Sequence, residues 1–138
     1  MNTTVLNDAQ VTIDAPKLYI EVDPSKSILF YQWKGHILDS EAKAGFAQIL
    51  DLIKKHRVTN LVADLFKFKG GTVETAKWAN DVLSERLRDA GIKKVAVTVP
   101  ESAFGEFSSR IALGEKFVSV LPVEKFTNAK DARAWFSA

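Results

Sequence analysis

The sequence predicts a single α/β domain built on a mixed, mostly parallel β-sheet that opens with an antiparallel hairpin and carries about four helices. Three observations predict it. Two aromatic and β-branched runs near the start flank an Asp-Pro-Ser turn. After them, helical and extended segments alternate to the end, as in βα units. No glycine fingerprint of a dinucleotide-binding unit follows any strand. A chain of 138 residues, 46% of them hydrophobic, is the size of one domain with a real core.

The elements follow in order. Residues 1–16 are polar and aperiodic and read as an N-terminal arm or edge strand, which leaves 17–138 as the domain. Lys17–Asp23 and Ser27–Gly35 are the hairpin strands; along the second, Leu29, Tyr31 and Trp33 share one face and Ile28, Phe30 and Gln32 the other. Asp39 or Ser40 caps a helix whose stripe is Ala42, Phe46, Ile49, Leu50 and Ile53. Its last turn carries Lys54, Lys55, His56 and Arg57, placed to offset the helix dipole.

Leu61–Phe66 is a short apolar strand, and Lys67–Gly71 a loop. Thr72 caps a second helix that buries Ala76, Ala79, Val82, Leu83 and Leu87, ended by Gly91. Lys94–Val99 is a strand closed by Pro100. Ser102 caps a helix with Phe104, Phe107 and Ile111 on its inner side and Ser108 and Ser109 at its surface, and Phe117–Leu121 reads as the last strand. Thr127 or Asn128 caps a terminal helix that buries Ala129, Ala132 and Phe136.

Composition excludes several classes of function. There is no Cys, hence no thiolate nucleophile and no cysteine metal site. Nineteen Lys and Arg against seventeen Asp and Glu give no basic excess to suggest a nucleic-acid partner. The N-terminus lacks the pattern of a signal peptide, and no apolar run reaches the ~20 residues of a membrane span. A cytoplasmic protein is the expectation. His36 and His56 stand in no metal spacing, and no serine elbow or Walker loop appears. No cofactor is expected, and the chain does not read as an enzyme.

With these elements placed, a family resemblance emerges. The strand ending in Asp64, the segment Ala90-Gly91-Ile92-Lys93-Lys94-Val95-Ala96-Val97-Thr98-Val99-Pro100 after Trp78, and the closing run Phe126–Phe136 resemble the SpoIIAA-like group of STAS-related proteins over roughly residues 17–137. The resemblance implies a non-enzymatic domain that binds a protein partner. In STAS domains of that kind a Ser in an Asp-Ser-Ser-Gly loop is phosphorylated. Here the loop runs from Asp64 through Lys67, Phe68, Lys69, Gly70 and Gly71 to Thr72, without that Ser, and Thr72 is the nearby hydroxyl. Similarity of the group's fold to CRAL-TRIO lipid-binding domains implies, as the alternative, a pocket for a small apolar or amphipathic ligand.

The candidate residues for either role are Asp64, Phe66, Lys67, Phe68, Lys69, Gly70, Gly71, Thr72, Trp78 and Phe104. The glycine pair before a helix can present N–H groups to an anion, with Lys67 and Lys69 adding charge. Against that, such loops commonly need glycine for backbone angles alone, Glu74 already occupies the helix start, and Asp64 reads as a loop-organising acceptor. The aromatics read either as core or as the wall of an apolar cavity, which for a carrier is expected to measure several hundred Å3. Phe68, between two lysines, fits core packing least well. A homodimer is compatible with every reading.

Overall fold

A computed structural model describes residues 3–6 and 11–137. The parts of the predicted arm at residues 1–2 and 7–10 lie outside the described residues, as does residue 138. The strands are β1 (Thr3–Leu6), β2 (Val11–Asp14), β3 (Leu18–Asp23), β4 (Ile28–Trp33), β5 (Gly35–His36), β6 (Asn60–Asp64), β7 (Phe68–Gly70), β8 (Lys94–Thr98) and β9 (Val123–Phe126). The helices are α1 (Asp39–His56), α2 (Val73–Trp78), α3 (Ser84–Ala90), α4 (Ala103–Ala112), α5 (Glu115–Val120) and α6 (Ala129–Ser137). A π turn, Ala79–Leu83, fuses α2 and α3 into one continuous rod, so the helical bodies among the described residues number five.

Seven strands form one sheet in the order β1-β2-β3-β4-β6-β8-β9. The first three pairings are antiparallel and the last three parallel. The predicted hairpin is thus β3 and β4, with Leu18 opposite Trp33 and Asp23 opposite Ile28. Strand β2 extends it, burying Val11 and Ile13. Because successive parallel strands are always added on the same side, the shared handedness of crossovers places their helices on one face. That face holds the main core, where Leu29, Tyr31 and Trp33 of β4 meet Phe46, Ile49 and Ile53 of α1 and Leu83 and Leu87 of the rod. On the opposite face, Ile28, Phe30, Val62 and Ala96 are covered by α6 through Ala132.

Three expectations need correction. The run Phe117–Leu121 is a helix, not the last strand: α5 turns Phe117 and Leu121 inward, one helical turn apart, and its amides bond four residues back. The terminal strand is β9, whose sequence Val-Glu-Lys-Phe is polar because it forms the sheet's edge. The loop Lys67–Gly71 contains β7, which pairs in parallel with β5 as a separate two-stranded sheet. Helix α4 presents the opposite face to that expected. Phe104 and Phe107 are 50% and 47% exposed, whereas Gly105, Ser108 and Ser109 are buried.

The cause lies in how closely α4 approaches β7. A Cβ at Gly105 would collide with the Phe68 carbonyl, so only small side chains fit the inner stripe. Gly70, at φ +106°, adopts a conformation open to glycine and lies under the Phe104 ring. Helix α1 starts one residue earlier than its predicted caps. Leu38 is the N-cap, and the Glu41 carboxylate accepts the Leu38 amide at 2.9 Å in place of a side-chain cap. Thr72, Ser102 and Asn128 do cap their helices, accepting the amides of Thr75, Gly105 and Asp131 at 3.1, 3.2 and 2.9 Å.

Candidate functional site

The C-terminal ends of β4, β6 and β8 converge on Asp64, at the edge where open α/β sheets receive ligands. Its carboxylate is 6% exposed and fully engaged. Oδ2 accepts Gln32 Nε2 of β4 at 2.8 Å, and Oδ1 accepts the Thr98 hydroxyl of β8 at 2.8 Å and the Phe66 amide at 3.2 Å. The Thr98 hydroxyl in turn accepts the Leu65 amide at 2.8 Å. Asp64 therefore ties three strand ends together and fixes where the chain leaves the sheet toward β7.

That exit separates the predicted residues by side. Phe66, Lys67, Lys69 and Phe104 face outward, and Phe68 turns inward, half-buried against the main core. Around the β5–β7 pair, the exposed apolar side chains are Leu38 (61%), Phe66 (43%), Val73 (48%), Phe104 and Phe107. Phe66 borders a shallow depression with Lys34, Lys67, Lys69 and Glu101. The Phe104 ring lies 6.2 Å from His36, centroid to centroid. Trp78 does not join this cluster. It stands in the groove between α1 and α3, 6.1 Å from the Phe46 ring and with Lys43 over its face at 5.8 Å.

The glycine pair is occupied by the fold itself. Gly70 O accepts the Ile37 amide at 3.0 Å, and the Gly71 amide faces the Ser108 hydroxyl at 3.5 Å. Thr72 is exposed, and its hydroxyl lies 2.9 Å from that of Thr75, which donates to Asp39 at 2.6 Å.

Between the sheet and the helices of the main core lies a cavity of about 90 Å3. Its walls are Tyr31 and Trp33 of β4, Phe68 of β7, Ala79 and Leu83 of the π turn and Phe117 of α5, among others. This is smaller than the several hundred Å3 expected of a carrier. The lining is mainly apolar, and its Thr and Ser hydroxyls face partners on the protein: Thr72 with Thr75, Thr75 with Asp39, Ser108 with Gly71 and Ser109 with the Glu106 carbonyl at 2.8 Å. The Tyr31 hydroxyl makes no hydrogen bond to any described residue. Tyr31 is only 6% exposed, and burial pushes its pKa well above the usual phenol range.

The sequence placed Tyr31 on one strand face with Leu29 and Trp33, without showing a cavity, and Ser108 and Ser109 read as surface residues. A readable signal was present: Gly105, Ser108, Ser109 and Ala112 form a small-residue stripe at helical spacing, which marks close approach by another backbone. Among the described residues no three His, Asp or Glu side chains are grouped to hold a metal, and no helix is long and apolar enough to cross a membrane.

Comparison with known proteins gives three results. The family model described as SpoIIAA-like matches residues 28–137. No curated protein matches the chain. Among solved structures, the chain is similar to an uncharacterized protein with a SpoIIAA-like fold from Shewanella loihica PV-4, at 16% identity and a TM-score of 0.48, covering 99% of this chain and 92% of that one.

Proposed function

The chain belongs to the SpoIIAA-like family, and from that premise we propose that it is a non-enzymatic, STAS-like regulatory domain that docks a protein partner on the surface around β5 and β7. The observation that carries this reading is the exposure of Leu38, Phe66, Val73, Phe104 and Phe107, all 43–61% exposed, on the segments that flank β5 and β7 and on the α4 helix packed against β7. Single exposed apolar residues are ordinary, but several on neighbouring segments mark an interaction site. Lys34, Lys67 and Lys69 beside Phe66 outnumber the one acid there, Glu101, so the partner segment is amphipathic and acidic. The domain acts in the cytoplasm, needs no cofactor and does not engage nucleic acid. The same surface also serves a homodimer if the partner is a second copy.

The test is a Phe66→Ser, Phe107→Ser double variant. Both side chains are about half exposed, so melting should shift little. Partners that co-purify with the wild-type protein should be lost from the variant. Retention of the same partners by a folded variant places docking elsewhere and refutes this reading.

A second reading, a carrier or sensor of a small apolar ligand, is favoured by the mainly apolar cavity. At about 90 Å3 it suits a compact molecule better than an acyl chain.

A further inference from the structure

We propose that the cavity receives a neutral, compact apolar molecule bearing one hydrogen-bonding oxygen, and that Tyr31 is the residue that recognises that oxygen. The proposal rests on the ligand-binding reading of the cavity and adds to it the chemical class of the ligand and the residue that selects it.

Tyr31 stands at the centre of β4, fixed by its neighbours on both sides: β3 pairs antiparallel and places Ile20 opposite it, and β6 pairs parallel with Ala63 opposite. The Phe46 ring meets it edge to face at 5.5 Å. So held, the ring cannot swing its hydroxyl to solvent without disturbing the sheet. Polar side-chain atoms that are wholly sealed all have partners among the described residues, so this unpartnered hydroxyl opens onto the cavity that Tyr31 lines.

A hydroxyl that faces only a mainly apolar cavity is left under-satisfied, and native proteins keep such groups where something outside the chain satisfies them. Water is a poor occupant here. A buried water typically makes about three hydrogen bonds. The remaining hydroxyls of the lining face Thr75, Asp39, Gly71 and Glu106. An apolar body with one oxygen matches what the walls provide. Neutrality follows from the same walls, since an ion would lose its hydration without a countercharge. The raised phenol pKa keeps Tyr31 protonated, so it can donate to a carbonyl as well as accept from a hydroxyl. Size sets the upper limit: an engineered cavity of about 150 Å3 admits benzene. At about 90 Å3 this one has room for a smaller body, of about four heavy atoms.

Acetone and its apolar isostere isobutene are the probes, titrated into the full-length wild-type protein and a Tyr31→Phe variant. The readout is methyl NMR of the lining residues Ile37, Leu65, Leu83 and Val97. The variant keeps the ring and loses only the unpartnered oxygen, so it should fold and melt no lower than wild type. Acetone should bind wild type about fivefold more tightly than Tyr31→Phe, the scale of one neutral hydrogen bond, with isobutene binding both alike. Equal acetone affinity for the two proteins would overturn the role of Tyr31 and leave the cavity as a ligand site. If neither probe moves those methyl signals in either protein, the ligand-binding reading fails, and this proposal with it.

Discussion

Asp64 keeps a carboxylate almost out of reach of water, and its three donors come from three different segments: Gln32 on β4, Thr98 on β8 and the amide of Phe66. Such a group is stabilising only while every partner stays in place. Asp64→Ala removes the acceptor and leaves the Gln32 amide and Thr98 hydroxyl competing for water they cannot easily reach. The expected loss is about 1–3 kcal/mol in urea unfolding. Asp64→Asn, which keeps one acceptor oxygen, should lose less. A variant as stable as wild type would mean that the strand ends hold without it. At this scale the sequence was legible in part. Asp64 as an acceptor followed from its place at a strand end. The inward turn of Phe68 did not, because two flanking lysines say nothing about which side of a three-residue strand faces the core. The Tyr31 hydroxyl was equally out of reach, since no pattern in one strand tells what stands opposite it across the core.

Elements here are placed by contact as much as by propensity. Helix α4 lies on β7 because its inner stripe is Gly105, Ser108 and Ser109, and the price of that closeness is that Phe104 and Phe107 remain outside. Gly→Ala inside a helix ordinarily stabilises by about 0.5–1 kcal/mol. At Gly105 the sign should reverse, because the added methyl runs into the Phe68 carbonyl, and a loss of about 1–3 kcal/mol is expected from chemical denaturation. A neutral or stabilising result would show that α4 can lift from β7 freely.

Helix α1 supplies a pH-dependent counterpart. A hydrogen bond from Thr75, helped by Lys43, holds Asp39 below its ordinary pKa of 3.8. The Leu38 amide, helped by Lys17, holds Glu41 below its ordinary 4.5. Groups with depressed folded pKa values stabilise the protein above their unfolded values, and that contribution fades as pH falls through the folded ones. Melting temperature should therefore decline from about pH 4.5 downward, and an Asp39→Asn, Glu41→Gln variant should decline less steeply. Equal slopes would remove these two carboxylates from the account. The rod, α4 and α6 were legible from their caps, and α1 from its periodicity though not from its cap. The α5 error has a plain cause: Phe-Val-Ser-Val-Leu has the composition of a strand, and six residues are too few for periodicity to decide.

Over the whole molecule, the alternation of strands and helices was enough to predict a mixed α/β sheet, because handed crossovers leave few arrangements open. The cavity and the exposed aromatic surface were not legible, since both depend on how closely α4 and the α2–α3 rod approach the sheet. The sheet itself holds a further consequence. Its spatial order, β1-β2-β3-β4-β6-β8-β9, never departs from the order of the chain. No strand has to be threaded between two that are already paired. As the ribosome releases the chain, each new strand can add to the edge its predecessor left open, so the domain can grow by accretion, and stalled nascent chains should gain protease resistance one strand at a time.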